Sequence, residues 1–158
     1  MGYNTDFEGG FKINKPVDEE TYKLLLGLAN TRRMKRSDLD KKYGVEGEFY
    51  CEDTENMGQT DKPSQGKIVN YNEPPKTQPS LWCDWDIQKD RQIIKWNGGE
   101  KFYGYVEWIR YLIRSILEPR GYIVNGEVGW FGEDHGDTGI IKVEDNQVIS
   151  KRGRIVYD

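Results

Sequence analysis

The residues best suited to chemistry lie late in the chain, in GEVGWFGEDHGDTG, where Glu127, Glu133, Asp134, His135 and Asp137 fall within eleven positions. His135 is the sole histidine, so any mechanism that needs an imidazole base or metal ligand must use it. A carboxylate and histidine cluster of this kind suits a divalent cation or a general base, and hence a metal-assisted hydrolase or nuclease. The spacing nevertheless lacks the alternating oxygen ligands and terminal glutamate of a calcium-binding helix-loop-helix, and it lacks HExxH. The plain alternative is a solvated acidic turn between two strands. No metal or cofactor is assigned from the sequence, and these five residues stand only as catalytic candidates.

A second group is basic. In TRRMKRSDLDKK, from Thr31 to Lys42, the residues Arg32, Arg33, Lys35 and Arg36 form the one dense cationic cluster. Adjacent arginines offer forked donors to phosphate oxygens, which points to a small anionic or nucleotide-like ligand. The competing reading is a helix end whose cations face the last carbonyls. Trp82 adds a possible stacking surface. Gly98, Gly99 and Glu100 stand where a helix N-terminus would offer free N–H groups to an anion, if Glu100 turns aside. Cys83 and His135 are a conceivable nucleophilic pair, but Cys83 shares the phase of Leu81 and Trp85 and reads as a core thiol. No nucleophile elbow, P-loop or dinucleotide fingerprint occurs.

These groups must be positioned by strands and two helices. Tyr3 to Ile13 alternates apolar and polar residues around Gly9-Gly10, giving a first strand bent at the glycines. A first helix over about 18–31 follows Pro16, with acids in its first turn and Tyr22, Leu25, Leu26 and Ala29 on its apolar face. Glu48 to Cys51 reads as a short strand, Glu52 to Lys67 as a long polar loop, and Tyr71 to Pro79 as irregular extended chain. Ser80 to Ile87 alternates with period two, and Arg91 to Trp96 returns as its hairpin partner. A second helix spans about 100–117, opened by Gly98-Gly99 and ended by Pro119, with Phe102, Tyr105, Val106, Ile109, Leu112, Ile113 and Ile116 on one stripe and Trp108 and Tyr111 at its edge. Asn125-Gly126 signals either a hairpin or a single bent strand, and Asp145-Asn146 a further hairpin. The expected fold is α+β: a mainly antiparallel sheet with both helices on one face, a single domain over 1–150, and 151–158 as an extension or edge strand.

Composition bounds the function. A net charge of −4 argues against duplex DNA as a partner, because such proteins carry a broad basic footprint. No window approaches a membrane span, the N-terminus lacks a secretory pattern, and the expected location is the cytoplasm. Cys51 and Cys83 are then expected as thiols. Five Trp, ten Tyr and five Phe exceed what a core of this size needs, which favours aromatic recognition.

Taken together, GYNTDFEGGF, TRRMKR, YNEPPKTQPSLWCDW, WNGGEKFYGYVEWIRYLI and NGEVGWFGED resemble a family of small uncharacterised proteins scattered through bacterial and phage genomes. The resemblance reaches about Val148, and SKRGRIVYD looks like an extension. It brings no activity, cofactor or site residue with it; occurrence in phages implies a part in conflict between phage and host. The expectation is therefore a non-enzymatic binding protein for a small anionic ligand or a host protein. A metal-assisted hydrolase and a structural or virion-associated module are the alternatives.

Overall fold

The computed structural model describes residues 2–51, 67–154, 156 and 157. It has an α+β fold, and the chain groups into two compact units, one of residues 1–17 and 84–158 and one of residues 18–83.

The first unit is built on a six-stranded antiparallel sheet. Its strands are β1 (Thr5–Ile13), β4 (Trp85–Ile87), β5 (Ile93–Trp96), β6 (Val124–Gly132), β7 (Thr138–Glu144) and β8 (Gln147–Arg152), in the spatial order β4-β5-β1-β6-β7-β8. Alternate residues are buried: Thr5, Phe7, Phe11 and Ile13 on β1, Val124, Val128 and Trp130 on β6, Ile141 and Val143 on β7. One face therefore carries the core, as period-two strands require. A second helix, α2 (Tyr105–Tyr111), contacts both β4 and β8 and so crosses this face.

Helix α2 departs from its expected form at both ends. It begins at Tyr105 after Gly104, which takes φ 68°, rather than at Glu100. It continues as a π-helical segment, Leu112–Leu117, and a final 3₁₀ turn, Glu118–Arg120. The buried stripe also differs from the expected one, already within the α-helical part. Trp108 and Tyr111 become core, Leu117 joins Leu112, Ile113 and Ile116, and Tyr105 and Val106 are only half-buried. Pro119 sits inside the last turn, consistent with its tolerance at a helical start.

Asn125-Gly126 makes no hairpin. Strand β6 runs straight through it, paired with β1 from Thr5↔Gly132 to Ile13↔Val124. A Cβ on Gly126 would lie 2.5 Å from the Gly10 carbonyl oxygen, so glycine there serves close approach of two strands. Asp145-Asn146 does turn, with φ of 46° and 70°, and joins β7 to β8. The Asn146 side chain braces that turn by accepting from Val124 N at 2.7 Å and donating to Tyr122 O at 3.0 Å. Val156 and Tyr157 lie outside any strand, and Ile155 is outside the described residues.

The second unit holds α1 (Glu19–Asn30) and a two-stranded sheet of β2 (Lys35–Ser37) and β3 (Lys67–Asn70). Asp18 caps α1 by accepting from Thr21 N at 2.7 Å, as a short acidic side chain does at an N-cap. Its buried residues include Leu24, Leu25, Leu28 and Ala29, one position off the expected stripe, with Tyr22 and Leu26 half-buried. Glu48 to Cys51 is turn and coil rather than a strand, and the loop expected over 52–67 lies outside the described residues except Lys67, which opens β3. Neither Cys51 nor Cys83 is in a disulfide. No described helix is long and apolar enough to cross a membrane.

Gly27 faces Cys51 so closely that a Cβ on it would lie 1.8 Å from the cysteine Cβ. Replacing Gly27 by Ala should therefore lower stability by about 1–3 kcal/mol through overpacking, although the same change in an open helix gains about 1 kcal/mol. Denaturant midpoints of Gly27→Ala against wild type check this, and a stabilised variant would refute the contact.

Candidate functional site

The basic cluster is turned inward. Arg33 has no exposed surface; its Nη1 donates to Tyr50 O at 2.7 Å and Thr31 Oγ1 at 3.0 Å, and its Nη2 donates to Gly47 O at 3.0 Å. Arg36, only 2% exposed, lies over the Tyr50 ring at 4.3 Å. Arg32 donates to Tyr71 O at 2.9 Å, and Lys35 pairs with Glu46 at 3.4 Å. The phosphate-facing patch expected over Arg32 to Arg36 is thus replaced by a network that organises the second unit. Within the stretch expected as a strand, Tyr50 gives its carbonyl to Arg33, and Gly47 O just before it accepts from both Arg33 and Tyr50 N. Trp82, in the same unit, is half-buried.

The acidic group disperses along a braced turn. Asp137 accepts from Tyr3 Oη at 2.7 Å and Trp130 Nε1 at 3.0 Å, and the Tyr3 hydroxyl first, then the indole, holds its carboxyl below the ordinary carboxylate range. Glu133 accepts from Asn4 N at 2.6 Å, while Asp134 donates its backbone N–H to Tyr3 Oη at 3.0 Å. His135 is exposed, and Glu127 sits on β6 opposite Lys142. Among the described residues no group of three or more His, Cys, Asp or Glu side chains converges to hold a metal ion.

Gly98, Gly99 and Glu100 form a turn before the helix instead of its N-terminus. Gly98 takes φ 86° and Glu100 is exposed. The Gly99 carbonyl accepts from Trp96 Nε1 at 3.0 Å, and Asn97 Oδ1 accepts from Gly99 N at 2.8 Å. The turn therefore fixes the orientation of the Trp96 indole.

That indole lines a groove. Strands β1 and β5 pair only at Phe11↔Ile94 and Lys12↔Ile93, whereas β5 continues to Trp96 against Trp85 of β4. Where β1 leaves β5, an open groove of about 530 Å³ is lined by Phe7, Gly9, Gly10, Ile93, Lys95 and Trp96. Phe7 backs it, edge-on to Trp96 with ring centres 5.4 Å apart. Two glycines leave the floor without side chains, Trp96 supplies a fixed ring, and Lys95 supplies the cation. The glycine pair interrupting a strand is the sequence signal for this place; Lys95 carries none, and Trp96 reads only as the end of a hairpin.

Compared with family models, curated proteins and solved structures, the chain shows no match.

Beside the groove lies Asp84, 6% exposed, whose carboxyl is pushed up to about 6 by burial while a hydrogen bond with Asn97 opposes the shift. A folded-state pKa above the ordinary 3.8 stabilises the fold fully at low pH and loses that contribution as pH rises through about 6. Asp84→Asn should match wild type near pH 4 and exceed it at pH 8 by about 1–2 kcal/mol, allowing for partial solvent contact. Denaturation at the two pH values decides it; the same difference at both would remove the ionisation of Asp84 as the cause.

Proposed function

We propose that the protein is a non-enzymatic binding protein whose groove between β1 and β5 takes a small planar anionic ligand of the nucleotide class. The supporting observation is the combination of a side-chain-free Gly9-Gly10 floor, an indole held by the Gly99 carbonyl, and Lys95 on one wall. A base laid against Trp96 gains about 1–3 kcal/mol from stacking. An indole fixed in advance loses little freedom on binding. A phosphate beside Lys95 receives a charge-assisted bond. Nothing in this arrangement calls for a reaction.

A second reading, recognition of a partner protein, is favoured by Phe131, Ile140 and Ile149, which are 47%, 43% and 45% exposed on neighbouring strands. Scattered apolar residues are common on surfaces, so this support is weaker than that of the groove. A part in phage–host conflict rests on the family resemblance and would suit either ligand.

Calorimetric titration with mononucleotides and cyclic nucleotides should give saturable binding by at least one of them. Lys95→Gln, at an exposed position, should weaken it about tenfold or more, the effect of losing one charged hydrogen bond. If no nucleotide binds, or if Lys95→Gln binds as wild type does, the small-ligand reading fails.

A further inference from the structure

A second pocket, apart from the groove and lined by other residues, has the character of an oxyanion site. Its volume is about 250 Å³, and it is lined by Arg110, Arg114, Glu118, Asn146, Gln147 and Val148. The three charged residues recur every four positions where α2 passes through its π-helical segment into the last 3₁₀ turn. The opposite wall is the Asp145-Asn146 turn and the start of β8. Asn146 is committed to bracing that turn, which makes the wall rigid.

The two guanidiniums are little used by the fold. Arg110 Nη2 donates one long bond, 3.5 Å, to Val148 O. Arg114 makes no hydrogen bond or ion pair with any described residue, and none joins Glu118 to either arginine. Arg110 is half-buried and Arg114 exposed, whereas Arg33 and Lys35 are matched within the fold. Two cations and one carboxylate facing one small pocket leave it with a net positive charge that attracts an anion. A π-helical turn within an α-helix also recurs at functional sites.

We infer that this pocket binds inorganic hydrogen phosphate, with Arg110 and Arg114 donating to its oxygens and Glu118 accepting its P–OH proton. The carboxylate decides the class. An anion without a proton would face Glu118 as an unrelieved negative charge, whereas hydrogen phosphate presents a donor to it at neutral and mildly alkaline pH. Sulfate has no such proton. A phosphate monoester, with its second pKa near about 6, has lost its proton by pH 8. The pocket thus selects by protonation as well as by charge.

The test is calorimetric titration of the full chain at pH 8, in buffer free of both anions and at matched ionic strength, with inorganic phosphate, sulfate and glycerol phosphate. Phosphate should bind saturably, and sulfate and glycerol phosphate about tenfold more weakly or worse. Arg114→Gln, and Arg110→Lys as a second variant should the first fold poorly, should each weaken phosphate about tenfold. Glu118→Gln should bring sulfate to within about threefold of phosphate, since an amide offers a donor where the carboxylate repelled. Lys95→Gln should leave phosphate binding unchanged. Absence of saturable phosphate binding, equal affinity for phosphate and sulfate, or loss of phosphate binding in Lys95→Gln would each overturn the inference.

Discussion

The first unit depends on one aromatic side chain, Phe7. Its ring meets Trp85 at 5.2 Å, Trp96 at 5.4 Å, Phe102 at 5.7 Å and Tyr105 at 5.0 Å, each edge to face. These partners come from β4, β5 and the start of α2 with its approach, so a single contact point gathers three segments that are all far from Phe7 in sequence. Edge-to-face rings add to the area they bury, because the positive ring edge meets the negative face of its neighbour. The helix start follows from this cluster. Trp85 Nε1 donates to Tyr105 O at 2.8 Å, and Phe102 is buried against the same rings, so residues 98–104 are occupied in entering the cluster and helical geometry begins only at Tyr105.

The second unit solves a different problem with a different device. It places a fully buried guanidinium, Arg33, among carbonyls that no ladder pairs. A buried charge is costly unless hydrogen-bonded, and buried carbonyls are costly unless donated to; each lowers the other's penalty, while Arg33 Nε stays without a hydrogen-bond partner among the described residues. Arg36 lies on Tyr50, whose carbonyl Arg33 holds, so the two arginines act on one turn from two sides. Residues that resemble a phosphate clamp in the sequence are in the fold a substitute for a strand.

Where one physical term dominates locally, the sequence is legible. Period-two burial identifies β1 and the pairing of β4 with β5, although only Trp85–Ile87 of the strand expected over Ser80–Ile87 forms and Asp84 is buried; the acid-capped start identifies α1, and the positive-φ pair Asp145-Asn146 identifies the last hairpin. Legibility ends where a non-local partner intervenes. Asn125-Gly126 has the local chemistry of a turn, but the backbone of Gly10 and Phe11 lies within 3 Å of where a Gly126 Cβ would sit, and pairing wins. The π-helical segment cannot be read from spacing, since a stripe counted at 3.6 residues per turn assumes the geometry that Leu112–Leu117 abandons. The candidate sites were harder still. Charge density points to Arg32 to Arg36, yet availability is what distinguishes a binding arginine, and the fold's own hydrogen bonds set it.

The two glycines on the floor of the groove differ in what they say about it. Gly9 takes φ 107°, and a Cβ there would lie 2.4 Å from the Glu127 carbonyl oxygen, so the backbone alone demands glycine. Gly10 has no left-handed φ. A Cβ on it would point between β1 and β5, 3.2 Å from Ile94 O and 3.6 Å from the Lys95 Cβ, tight but not prohibitive. Glycine within a strand costs about 0.5–1 kcal/mol relative to a residue with a side chain. A small side chain at position 10 would begin to fill the gap where the sheet forks, but Ile94 O would have to give by a few tenths of an ångström, which opposes that gain. Gly9 thus answers to the backbone of its own strand pair, and Gly10 to the close approach of Ile94 O where the sheet forks.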